Sequence, residues 1–365
     1  MIYFDAAATT LQKPPSVARA VQHAMEHYAS PGRGGYDAAM QASNAVYACR
    51  EEAAALFDAS PEQIVFTMNA THALNLAIRT LVRAGDEVVI SGFEHNAVWR
   101  PLHHVGAKIR VAGRRVFDPE DTLQGFEAAI GPHTRAVVCT YVSNVFGYIL
   151  PLEKIAALCA ARGVPLIVDA SQAAGVLPVS LQKLGAAFLA MPGHKSLYGP
   201  QGTGILVCGR QVAPLLAGGT GSLSQSARMP DFLPDAGEAG THNVPGICGL
   251  CEGIRFVRRT GLEAIFAHAQ MLCQLLSAEL SGISGVRVFS GAQQAGVCAF
   301  YLETEDVEKT AKRLSLRGAA LRAGLHCAPL AHESAGTLQT GTLRASFSVF
   351  NTAAQVRRLA QWVKT

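Results

Sequence analysis

Few residue types can attack a carbonyl carbon, and one of them sits in an unusual place. Lys195 lies in Pro192-Gly193-His194-Lys195-Ser196-Leu197-Tyr198-Gly199-Pro200, directly after the apolar run Ala186–Met191, which reads as a short buried strand. An ammonium delivered by a buried strand into a glycine-rich loop has two readings. It is a solvated loop lysine, or its amine is desolvated, loses its proton more readily and forms a Schiff base with an aldehyde. Asp169 ends the apolar segment Leu166-Ile167-Val168. A carboxylate there caps the following helix or meets a cation such as a protonated pyridine nitrogen. No His or second carboxylate stands at ligand spacing, which disfavours a metal.

Three further segments carry polar groups at strand ends. Asn69-Ala70-Thr71-His72 follows the strand-like Ile64–Thr67 and opens a helix. Free backbone N–H groups at such a junction seat a phosphate, unless the residues are an ordinary cap. His95 follows Glu87–Ile90, and Asn144 follows the apolar stretch Arg135–Val142. Near the other end of the chain, Cys327 lies in Arg322-Ala323-Gly324-Leu325-His326-Cys327-Ala328-Pro329. The neighbouring arginine favours a thiolate, although a loop cysteine is ordinarily a small buried hydrophobe. Cys248 and Cys251 form a single Cys-x-x-Cys with no second pair, which reads as helix packing rather than zinc or redox chemistry.

The elements that must position these groups alternate strand and helix from about residue 64 to residue 208, the pattern of a mostly parallel sheet with helices on both faces. In that α/β architecture functional side chains gather at the carboxyl ends of the strands. His95, Asn144, Asp169 and Lys195 all fall there. Pro14 and Pro15 open a helix to about Tyr28, and a second helix covers about Ala38–Phe57. The expected division is a large unit over 15–252 and a smaller α/β unit over 253–365. Segment 1–14 is expected to pack on the smaller unit, with the side taken by the first helix left open.

With 365 residues, 49% hydrophobic and 16% charged, the chain has a large core and is not disordered. A net charge of +4 without basic runs gives no nucleic-acid footprint. No apolar stretch approaches membrane-span length, and Met1–Asp5 does not open a signal peptide. A soluble, cytoplasmic protein is expected, with nine cysteines held mostly as buried thiols and no metal.

Taken together, these motifs resemble the cysteine desulfurase and selenocysteine lyase family, within the class V aminotransferase group of pyridoxal-phosphate enzymes. The resemblance spans nearly the whole chain. It rests on Asp5-Ala-Ala-Ala-Thr-Thr10, Asn69–Asn75, Glu94-His95-Asn96, Ser143-Asn144-Val145, Asp169-Ala-Ser-Gln172 and Gly193-His194-Lys195. Glu238-Ala-Gly-Thr241, Arg322–Pro329 and Arg344-Ala-Ser-Phe347 complete it. It implies a fold type I transferase fold with pyridoxal 5'-phosphate bound to Lys195, Asp169 paired with the pyridine nitrogen, and His95 stacked on the ring and moving protons. Gln172 and Asn144 are implied to contact the ring oxygen or substrate. Ala70, Thr71, His72 and His194 are implied to bind the phosphate. Thr241 is implied to reach the phosphate of a neighbouring subunit in a homodimer, and Arg344 to clamp the carboxylate of L-cysteine or L-selenocysteine.

Cys327 is implied to take sulfur from cysteine as a persulfide. The compact segment around it is similar to the branch with a short catalytic loop, which passes sulfur to an acceptor protein. Selenocysteine lyase, an aminotransferase and a non-catalytic sulfur-transfer partner are the alternatives, and Cys327 disfavours the last two. The pattern departs at Pro192 and Ala70, where relatives carry hydroxyl donors, each worth about 1–2 kcal/mol. It also departs at Tyr36-Asp37, where a histidine is common.

Overall fold

The computed structural model describes residues 1–32 and 34–365. Its centre is a seven-stranded sheet in the order Ile64–Thr67, Gly204–Cys208, Phe188–Pro192, Leu166–Asp169, Thr134–Thr140, Glu87–Ser91, Lys108–Ala112. The strands from Phe188–Pro192 through Lys108–Ala112 pair in parallel, and only Gly204–Cys208 runs against its two neighbours. Leu166–Asp169 and Phe188–Pro192 are buried along their whole length, as expected of strands covered on both faces. The faces are covered by separate apolar clusters, one containing Val168, Leu189 and Ile205, the other Ile167, Phe188 and Leu206. Adjacent residues point to opposite faces, so each strand feeds both clusters.

Because Ile64–Thr67 is flanked by the one reversed strand, its carboxyl end shares an edge with those of the parallel strands. Residues following Thr67, Ser91, Thr140, Asp169 and Pro192 therefore converge.

A four-stranded antiparallel sheet, Arg322–Gly324, Thr342–Ser346, Val297–Leu302 and Val286–Phe289, forms a second layer. Phe300, Leu343 and Leu272 of the helix Leu262–Ser281 lie in its core. Ile2–Tyr3 pairs in parallel with Ala319–Ala320, and Asp5 bridges to Ser346, so the chain starts on this second layer. The helix Pro15–His27 then packs against Val244–Thr260, which also packs against Asp37–Phe57.

Val244–Thr260 is one continuous helix across the expected division at 252/253, and Gly261 terminates it with φ 86°. Gly253 is helical and tight: a Cβ there would meet the Leu197 carbonyl at 2.1 Å. The glycine marks close helix packing, not a linker. Cys248 and Cys251 are buried on this helix. No helix is long and apolar enough to cross a membrane, and no cluster of three or more His, Cys, Asp or Glu suits a metal ion, both among the described residues.

Candidate active site

The convergent strand ends surround a cavity of about 220 Å³ lined by His95, Asn144, Asp169, Gln172, His194 and Lys195, with Arg322 and Arg344 entering from the antiparallel sheet. The loop after Phe188–Pro192 turns tightly. Gly193 N–H donates to the Thr203 carbonyl at 2.8 Å, and Gly199 N–H returns to the Gly193 carbonyl at 2.8 Å. Gly193 is required there, since a Cβ would stand 2.2 Å from Thr203 Oγ1. Burial pushes the Lys195 ammonium down to about 8, against the opposing pull of Asp169, while Arg344 lowers it further. Its free amine is accessible near neutral pH, as a carbonyl nucleophile requires.

Asp169 is 3% exposed and accepts from Ser171 N–H at 2.9 Å. It has no ion-pair partner among the described residues, so its remaining acceptor capacity faces the cavity it lines. A buried carboxylate in that situation suits a cationic ring nitrogen. His95 caps the helix Asn96–Val105 by accepting from Ala97 N–H through Nδ1 at 3.0 Å. Burial holds its imidazole down to about 4, with Lys195 adding and Asp169 opposing. The neutral ring with Nδ1 accepting carries its proton on Nε2. Glu94 joins two strand ends. Its Oε1 accepts from Thr140 N–H at 2.8 Å and from Ser91 Oγ. Full burial pushes its carboxyl up to about 8.

At the start of the helix Ala70–Leu81, the Ala70 and Thr71 N–H groups have no intrahelical acceptor and both residues line the cavity. Both are free to receive an anion there. His72 is placed differently. Its N–H is taken by Asn69 Oδ1 at 2.9 Å, and its ring lines a separate cavity together with Thr241, Glu238 and His242. The cap that makes this a clean helix start also withdraws the third donor. Thr241 is exposed and likewise absent from the lining of this chain's main cavity. Its segment is anchored by Glu238, which is buried, bonded to Arg50 at 2.6 and 2.8 Å, and accepts from Phe66 N–H.

The opening motif Asp5–Thr10, which is at the other end of the chain, stitches these parts together. Thr10 Oγ1 donates to the carbonyls of His194 and Lys195, both at 3.1 Å, and Thr9 Oγ1 lies 3.0 Å from His194 Nδ1. Burial lowers His194 to about 4. Gln172 Nε2 donates to the Ala7 carbonyl at 2.9 Å, leaving its amide oxygen free. Asp5 Oδ1 accepts from Arg344 Nη2 at 2.6 Å, and Arg344 Nη1 donates to the Asn144 carbonyl at 3.0 Å. Arg344 is 1% exposed, and its Nε has no partner. Sequence reasoning named Arg344 but missed Asp5, whose partner lies 339 positions away; only its place in the opening motif marked it.

Cys327 is the one exposed cysteine of the nine. It lies outside the main cavity, on a neighbouring one that shares Thr71, His95 and Ala97. His326 and Cys327 have φ of 49° and 57°, unusual for two consecutive residues with side chains. The strain is held by neighbours: Asn96 N–H donates to the Cys327 carbonyl at 2.7 Å, and Asn144 Nδ2 donates to the His326 carbonyl at 2.9 Å. Asn144 thus fastens the cysteine loop. Arg322 Nη2 stands 3.6 Å from Cys327 Sγ and connects it to the main cavity, which Arg322 lines.

Residues 2–359 match the family described as aminotransferase class-V. The chain belongs to that family. A probable cysteine desulfurase of Methanothermobacter thermautotrophicus is 33% identical over 376 residues, covering 99% of this chain and 93% of its own. A cysteine desulfurase of Yersinia pestis is 35% identical over 378 residues, covering 98% and 91%. Among solved structures, the apo cysteine desulfurase of Thermococcus onnurineus superimposes with TM-score 0.89 at 29% identity, covering 100% of this chain and 94% of that one. The Escherichia coli cysteine desulfurase CsdA, described with an S-sulfonic acid, gives 0.86 at 28%, covering 99% and 93%. The fold expected from the sequence, a mostly parallel α/β sheet of the fold type I kind, is that of this class V aminotransferase family member.

Proposed function

We propose that this family member is a pyridoxal 5'-phosphate-dependent cysteine desulfurase that converts L-cysteine to L-alanine and carries the released sulfur as a persulfide on Cys327. The supporting observation is the joint placement of Lys195 and an ion-unpaired, buried Asp169 in a cavity whose arginine, Arg322, also touches the single exposed cysteine. The residues present fit the cofactor. Lys195 would hold its aldehyde carbon, Asp169 its ring nitrogen, and the Ala70 and Thr71 N–H groups with His194 its phosphate. Bound there, it supplies a sink for the electron pair that develops beside the substrate amine.

The chain's own groups do the rest. Arg344, already oriented by Asp5 and Asn144, receives the substrate carboxylate with its free Nε and adjoining Nη. Lys195 moves the proton at the carbon bearing the amine, and His95, with its proton on Nε2, would assist that proton transfer beside the ring. Cys327 Sγ then attacks the substrate sulfur. The sulfur–sulfur bond forms as the carbon–sulfur bond breaks, and the carbon keeps the bonding pair and takes a proton to become the alanine methyl. Arg322 Nη2, 3.6 Å from Sγ, borders the sulfur where this step begins.

The resemblance implies that Thr241, exposed in this chain, would reach the phosphate of a second subunit in a homodimer. Eight buried thiols without a disulfide suit the reducing cytoplasm. Mass spectrometry of the Cys327 peptide after exposure to L-cysteine is the test. An added sulfur on Cys327 supports the proposal, and alanine formed with no sulfur there sinks it.

A further inference from the structure

The persulfide must leave by some route, and the cavity on which Cys327 lies has a distinct chemical character. It measures about 410 Å³, and its walls carry Cys327, Arg100, His104, Asn75 and Asn96, with His95 shared with the main cavity. Arg100 and His104 are both exposed and stand four residues apart on the helix Asn96–Val105, so they occupy one face of it. Arg322 adds a second guanidinium at 3.6 Å from Sγ. No carboxylate lines this cavity among the described residues. Sulfur is received on the side lined by Lys195 and Arg344 and presented on a side that is open, cationic and large enough for a small molecule.

We propose that this outer cavity is the acceptor site for a small thiol bearing one or more carboxylates, with Arg100 and His104 selecting the negative charge. The proposal rests on the desulfurase reading and names the second substrate class of the same site. The acceptor thiolate attacks the terminal sulfur of the Cys327 persulfide. A new sulfur–sulfur bond forms on the acceptor, the bond to Sγ breaks with its pair on Cys327, and the acceptor's proton ends on the Cys327 thiol. No external oxidant or reductant is required.

The first test needs no turnover. Because the other eight cysteines are buried, alkylation of the folded protein reports Cys327. The rate with iodoacetate relative to iodoacetamide should fall about three- to fivefold in Arg100→Ala, the range of one exposed ion pair. It should fall further in Arg100→Glu and recover in Arg100→Lys. An unchanged ratio in both Arg100→Ala and Arg100→Glu, with thermal melting showing each folded, overturns the proposal.

The second test charges Cys327 with L-cysteine and follows discharge by mercaptosuccinate, mercaptoethanol and cysteamine, each rate corrected for its thiolate fraction. Wild type should prefer them in that order, and Arg100→Ala should level the series while forming alanine at the wild-type rate with saturating mercaptoethanol. A level series in wild type contradicts the acceptor assignment. Failure to charge Cys327 at all contradicts the desulfurase reading instead, and leaves the alkylation result to judge the outer cavity by itself.

Discussion

Replacing Glu94 by glutamine isolates the electrostatic cost at the centre of the sheet edge. The carboxyl is fully buried, and its ionisation moves from 4.5 up to about 8. The raised folded value means that the folded state holds the proton more tightly than the unfolded chain. The contribution is neutral below about 4.5, becomes increasingly destabilising as pH rises toward 8, and is constant above it. The full penalty is roughly 5 kcal/mol, treating the whole shift as desolvation. From pH 6 to pH 9 it grows by roughly 2–3 kcal/mol. Glutamine can accept the same bonds from Ser91 and Thr140, and it puts an NH₂ where the carboxyl oxygen Oε2 already lacks a partner. That mismatch shifts stability equally at every pH, so the slope is the diagnostic quantity. Thermal melting of both proteins from pH 6 to 9 should show the variant gaining steadily on the wild type. Parallel curves would refute the claim that Glu94 is protonated in the fold.

Two further perturbations address the cavity. Asp5→Asn leaves the buried Arg344 guanidinium without its carboxylate and should lower stability by about 3 kcal/mol, read as a fall in melting midpoint at pH 7; an unchanged midpoint would show that the Asn144 carbonyl alone holds the arginine. In the cofactor-free chain, capture of pyridoxal phosphate requires the neutral Lys195 amine, so its rate should rise with pH and level above about 8. A rise continuing toward pH 10, the range of an ordinary lysine, would contradict the burial argument, and Lys195→Ala should develop none of the visible absorbance.

Much of this site was legible because it follows from periodicity. Alternating strands and helices imply a parallel sheet, and a parallel sheet brings the residues after its strands to one edge. Periodicity placed Asp169, His95, Asn144 and Lys195 at that edge, and the family resemblance supplied the roles expected of them. What stayed hidden depends on contacts between distant segments. The Asp5–Arg344 pair and the threonines that hold the Lys195 loop join residues from opposite ends of the chain. Nothing local distinguishes a helix-start N–H that is free from one already capped, which is why His72 was expected in the phosphate seat that Asn69 denies it. The close packing at Gly253 is hidden for a related reason: a glycine that permits close packing and one that ends an element look alike in sequence. The outer cavity was equally invisible, since Arg100 and His104 meet Cys327 only through the fold.

The central claim is that Cys327 takes sulfur from cysteine. The most direct measurement is alanine formation from L-cysteine and L-selenocysteine by wild type and Cys327→Ala. The account predicts that wild type forms alanine from cysteine and that the variant, retaining its bound cofactor absorbance, does not. Alanine formed from cysteine at equal rates by both proteins would contradict it, and a wild type active only on selenocysteine would assign the chain to the lyase reaction instead.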